Sequence, residues 1–193
     1  VAGGPLGTEE NPLTLQLGPE SFLRVRSAED IYLEGIKGGS STGGLNIDFI
    51  YTSGMVKIIT SGAIRAAAKD EDANIVSGDL VIAASSIGNA DNFLRIDLLE
   101  DGNLTATADG SIYLQEVAGD MKVDTVTSNS GDIDLRSAGS MRLGKVTSTI
   151  GNINLQSGGN IDLGMIESAS GDINLQSAGN VNMAQGLIFS TSG

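Results

Sequence analysis

Residues 131–143 read GDIDLRSAGSMRL, residues 151–163 read GNINLQSGGNIDL, and residues 171–183 read GDINLQSAGNVNM. The step is 20 residues each time. The shared frame is G-x-φ-x-φ-x-x-x-G-x-φ-x-φ, where φ is apolar. Its apolar positions are Ile133, Leu135, Met141 and Leu143, then Ile153, Leu155, Ile161 and Leu163, then Ile173, Leu175, Val181 and Met183. The φ-x-φ spacing has the strand period of two. The glycines stand at fixed phases: Gly131, Gly151 and Gly171 in one column, Gly139, Gly159 and Gly179 in another. Glycine at these turns supplies positive φ without a steric penalty. A helix is ruled out, because glycine every eight to twelve residues costs about 1 kcal/mol each in a helix interior.

The frame recurs less cleanly at Gly54 and Gly102. A longer repeat lies over it. GTEENPLTLQL at 7–17 aligns with GNADNFLRIDL at 88–98, an offset of 81 that also matches Asp30–Leu33 to Ser111–Leu114. Since 81 is about four times 20, the block reads as four coils duplicated.

A three-residue strand pair cannot bury its apolar face alone, so the repeats must stack, with residue i above residue i+20. The expected fold is therefore all-β: a right-handed parallel β-helix (a β-solenoid) with coils of about 20 residues. A β-sandwich also offers short, evenly spaced strands, but it does not need the same residue every 20 positions. The 193 residues would make roughly nine or ten coils. They read as one continuous solenoid segment over 1–193, part of a longer repeat protein. Loop insertions are expected near 38–44 (GGSSTGG) and 66–74 (AAAKDEDAN), protruding from one turn position.

Stacking predicts columns of outward side chains: Asp132, Asn152 and Asp172; Asp134, Asn154 and Asn174; Ser140, Asn160 and Asn180. Stacked Asn154 and Asn174, like Asn160 and Asn180, can exchange amide hydrogen bonds from coil to coil. Arg142 is expected beside Asp162 and Arg136 beside Gln156.

Composition narrows function. The chain has no His and no Cys, so a Ser-His-Asp triad, a cysteine nucleophile and the usual zinc ligand sets are excluded. Eleven basic against 24 acidic residues give a net charge of −13, which disfavours nucleic acid and anionic membranes as partners. No apolar run approaches a membrane span. No cofactor is expected. Calcium is the one metal considered, at the turn aspartates Asp132 and Asp172, although the RTX nonapeptide and EF-hand patterns are absent. Tyr32 and Tyr113 occupy the same position in the long repeat and point outward, making them candidates for sugar or partner contact, or for covering the base of a loop. Thr105-x-Thr107 and Thr125-x-Thr127 suggest a threonine array, which Glu167 interrupts.

GDINLQSAGNV and GNINLQSGGNI resemble the repeat shaft of filamentous-haemagglutinin-like bacterial exoproteins of the two-partner secretion type. SGDLVIAASSIGNADNFLRIDL at 77–98 and GSIYLQEVAGDMKV at 110–123 are similar to stretches of the same style. The resemblance covers 77–183 most clearly. It implies a secreted or cell-surface location and a non-enzymatic, structural or adhesive stalk that contributes to an extracellular fibre. Its partners would be flanking repeats of the same chain, end-to-end copies, and host or matrix glycans. The alternative is a β-helix that binds or cleaves polysaccharide.

Overall fold

The computed structural model describes residues 3–38, 41–67, 71–99, 101–183 and 186–190. Within these residues the regular structure is entirely strand, and no helix is long and apolar enough to cross a membrane. The strands form two long sheets of 11 and 10 strands, paired in parallel throughout. The antiparallel exceptions are a small hairpin of Lys37–Gly38 with Ser41–Thr42 and an isolated bridge between Asn89 and Asn92. The chain passes from one sheet to the other and back, so each strand lies on its counterpart one coil earlier.

Alternation explains the core. In Ile133–Ser137, Ile133, Leu135 and Ser137 are buried while Asp134 and Arg136 face outward, and Ile153–Ser157 repeats the arrangement. Stacked Ile, Leu and Val run through the interior as one continuous cluster.

Register counts the coils. The first sheet stacks Leu13, Leu33, Ile58, Ile82, Ala106, Val126, Val146, Ile166 and Ile188. This is a solenoid of about eight coils, not the roughly nine or ten that uniform coils would make. The steps from Leu33 to Ile58, Ile82 and Ala106 are 25, 24 and 24 residues. They fall to 20 from Ala106 through Val126 and Val146 to Ile166.

The long repeat is corrected by the same count. Leu13–Leu15 and Ile31–Gly35 lie in the first sheet, but their counterparts Leu94–Leu98 and Ile112–Glu116 lie in the second. Phe22–Arg26 and Leu104–Ala108 exchange sheets in the opposite sense. The offset of 81 residues is therefore about three and a half of these longer coils. The duplicated block sits half a turn further round.

The frame also missed part of each coil. Met121–Ser128 and Met141–Ser148 each run past a kink at Asp124 or Gly144 into a further segment, and the next coil divides it into Ile161–Asp162 and Met165–Ser168. Val126, Val146 and Ile166, with Ser128, Ser148 and Ser168, are the buried residues of that segment.

The insertions do not share one turn position. The hairpin of Lys37–Gly38 with Ser41–Thr42, at the insertion expected near 38–44, lies at a corner between the sheets, with residues 39 and 40 outside the described set. The insertion within 66–74 divides one second-sheet strand, since Ala63–Ala66 and Ile75–Ser77 both pair along Leu45–Tyr51; residues 68–70 lie outside the described set. Two further insertions come from the long repeat. Leu6 and Leu13 flank residues 7–12 but pair with Ile31 and Leu33, two residues apart. Ile87 and Leu94 likewise flank 88–93 and pair with Ile112 and Leu114. Gly7 and Gly88 start these loops at φ 72° and 62°, the left-handed region that favours glycine.

The repeat glycines have another cause. A Cβ on Gly139 would lie 2.7 Å from the Gly119 carbonyl oxygen, and those on Gly131, Gly151, Gly171, Gly159 and Gly179 would also strike the preceding coil. Close stacking of turns, more than positive φ, keeps these positions glycine. Inward serines complete the corners. Ser148 and Ser168 Oγ donate to the carbonyls of Gly131 and Gly151 at 2.9 and 2.8 Å, and Ser157 and Ser177 do the same to Gly139 and Gly159.

Candidate functional site

The turn columns form hydrogen-bond ladders of period 20. Asp132 Oδ1 accepts from the Asn152 backbone N–H at 2.7 Å, and Asn152 Oδ1 accepts from that of Asp172 at 2.8 Å. On the opposite turn, Asp120 Oδ1 accepts from Ser140, Ser140 Oγ from Asn160, and Asn160 Oδ1 from Asn180 at 2.8 Å. Asn160 and Asn180 are thus linked amide to backbone, not amide to amide. Asn174 Nδ2 does donate to Asn154 Oδ1, at 2.9 Å. Asp132 and Asp172 stand two coils apart with Asn152 between them. No three acidic side chains converge as a metal ligand set among the described residues.

Tyr32 and Tyr113 face outward on different sheets, each beside a loop of the long repeat. Tyr32 is half-buried beside Pro12 and the Glu9–Lys57 ion pair, which closes at 2.7 Å, around a cavity of about 160 Å³. Its hydroxyl donates to Asp30 Oδ2 at 3.3 Å, and burial next to Asp30 pushes the phenol pKa upward. Tyr113 meets the buried ring of Phe93 edge-on, with centroids 5.5 Å apart. The Arg136 guanidinium lies 4.1 Å from the centre of the Phe93 ring and also binds Asp134 at 3.1 Å. Register places Arg136 beside Gln156 and Arg142 beside Asp162. Gln115, Arg136, Gln156 and Gln176 border an open groove of about 450 Å³ along the second sheet.

Sequence reasoning passed over two features. The first is an aromatic and arginine face on the second sheet. Phe22–Arg26 pairs with Leu45–Tyr51 through a register shift after Leu23, and Asp48 is the extra residue of the bulge. Arg24 and Arg26 of the first strand, with Asp48 and Phe49 of the second, border a cavity of about 490 Å³, and Asp72 closes it from the next coil. Arg24 pairs with Asp48, while the Arg26 guanidinium lies over Phe49 at 4.7 Å and Tyr51 at 5.6 Å. The signal was present in FLRVR and DFIY, which hold three of only seven aromatic residues.

The second is Glu116, fully buried at an inward position of IYLQE, stacked between Ile96 and Ser137. Its Oε2 accepts from the Leu98 N–H at 2.9 Å and its Oε1 from that of Ala118 at 3.2 Å. Burial dominates and pushes the carboxyl up to about 7, against the pull of these donors. Alternation from Ile112 and Leu114 already marks position 116 as inward.

No protein-family model matches the chain, and neither does any curated protein or solved structure. What the geometry defines is a class: a β-solenoid repeat protein of about eight coils, compatible with a repeat shaft.

Proposed function

We propose that this chain is a stretch of shaft in a secreted or cell-surface bacterial exoprotein, a spacer that holds other surfaces at a distance and carries no catalysis. The observation that carries the reading is the uninterrupted stack. The coils from Ala106 to Ile166 keep the same inward positions at a constant 20-residue step, with turn ladders joining the later ones, and stacked coils of this kind make a quasi-one-dimensional rod. Eight coils at strand spacing give roughly 40 Å of rod. The resemblance of the 131–183 repeats to filamentous-haemagglutinin-like shafts supports the same reading, as does a net charge of −13, which keeps neighbouring rods apart. Immunogold labelling of the producing cells tests it. Label on the surface or on shed fibres is expected, and label confined to the cell interior overturns it.

A second reading, a β-helix that binds polysaccharide, is favoured by one specific observation. The cavity on the second sheet joins two arginines, two aspartates and an aromatic ring contributed by neighbouring coils. Such a surface would make the shaft adhesive. Incubation with a panel of neutral and acidic glycans separates the readings: turnover overturns the non-catalytic shaft, and binding without turnover adds adhesion to it.

A further inference from the structure

We propose that the outer face made by Phe22, Arg24, Arg26, Asp48, Phe49 and Tyr51 binds a neutral, hydroxyl-rich hexose chain. The proposal rests on the polysaccharide-binding reading and gives it a site and a ligand class. Aromatic rings are concentrated on this face. Aromatic residues make up 4% of the chain, yet three of the seven lie on this one face. Phe22 is 61% exposed and Tyr51 38% exposed. The rings of Phe49 and Tyr51 stack, 11° from parallel with centroids 6.4 Å apart. Arg26 lies against both rings and holds them in place.

The bulge turns two neighbouring side chains to the same face. A regular strand would send Asp48 and Phe49 to opposite sides. Here Ile47 and Ile50 are buried, and the two residues between them both remain half-buried, lining the cavity. Bulges commonly re-aim side chains next to functional sites. The cavity of about 490 Å³ falls within the size range of small-ligand sites.

The ring and the charged pair together select the ligand. A hexose offers an apolar C–H face that packs on a ring and pairs of hydroxyls that both accept and donate. Arginine can only donate and an ionised aspartate can only accept, so Arg24 and Asp48 side by side match a hydroxyl pair. An acidic sugar fits less well. Arg24 is already engaged by Asp48, Asp72 adds a second carboxylate, and the chain as a whole carries −13.

Affinity electrophoresis and calorimetry of the 193-residue chain with neutral glucan, galactan and mannan, and with alginate and polygalacturonate, test the proposal. Binding to at least one neutral polymer is expected, and Phe49→Ala or Tyr51→Ala should weaken it about fivefold or more. Circular dichroism checks that these variants fold, and Phe22→Ala serves as the variant furthest from the core. If no neutral polymer binds, the proposal and the polysaccharide-binding reading fall together. If a neutral polymer binds and none of the three variants weakens it, this site is wrong and the broader reading stands. Binding confined to the acidic polymers overturns the ligand class.

Discussion

At the scale of single residues, Glu116 is the least expected member of the core. Its counterpart in the long repeat is Gly35, and its neighbours in the stack are Ile96 and Ser137. The folded chain holds its proton up to about pH 7, while the unfolded chain releases it near 4.5. The folded state therefore binds more protons between those values, and stability must fall as pH rises through them. The contribution is complete below about 4.5, is lost toward and above 7, and is on the order of 3 kcal/mol. Urea denaturation should show wild type losing stability from pH 5 to pH 8, with Glu116→Gln losing measurably less. Parallel losses in both proteins would refute the assignment. The turn glycines give a second comparison. A Cβ at Gly119 meets nothing within 4 Å, whereas one at Gly139, the next coil's equivalent, meets the Gly119 backbone. Gly139→Ala should cost about 1–3 kcal/mol by overpacking, while Gly119→Ala should stay within about 0.5 kcal/mol. Equal midpoints in thermal melts would show that stacking does not select glycine there.

At the scale of elements, the two insertions of the long repeat are lids on outward tyrosines. Loop 88–93 is fixed to the second sheet by Phe93, which packs on Tyr113 and under Arg136. Asn92 Nδ2 adds a hydrogen bond to the Ala66 carbonyl at 3.2 Å. Phe93→Ala should release the loop at a cost of about 3 kcal/mol, because the ring is buried against Tyr113 and Arg136. Limited proteolysis should then cut within 88–93 before any other site in the second sheet; an unchanged cleavage pattern would mean the ring does not hold the loop. The strands themselves were legible from the alternation of Ile133, Leu135 and their counterparts. The segment holding Val126, Val146 and Ile166 was not, because one apolar residue followed by serine lacks the φ-x-φ signature. Its serines are inward because their hydroxyls bond glycine carbonyls at the corners.

At the scale of the whole molecule, the stack determines where stability lies. Coils in the middle are covered on both sides, while in the last described coil Val181 and Ile188, which stack on the buried Ile161 and Ile166, are 47% and 38% exposed. Open strand edges with apolar side chains template further pairing. The 193-residue chain in isolation should therefore associate as its concentration rises, and Val181→Lys with Ile188→Lys should reduce this, as read by analytical ultracentrifugation. A wild-type chain that stays monomeric at high concentration would count against an adhesive edge. Amide exchange should be slowest through 112–157 and fastest at the final coil, since each coil is stabilised chiefly by its neighbours.

The sequence by itself determined the solenoid, the 20-residue coil of its regular half and the inward columns. Identical residues at a fixed step must stack, and alternation decides which of them face in. It also located the turn columns, but not what the turns do, since a bond from side chain to the next coil's backbone leaves no residue signature. Only the tertiary structure decided the coil number, the half-turn offset of the duplicated block and the face that joins Phe22, Arg26, Phe49 and Tyr51. Those depend on how many residues each turn spans before the chain returns, and insertions of five residues change the phase without breaking the strand pattern.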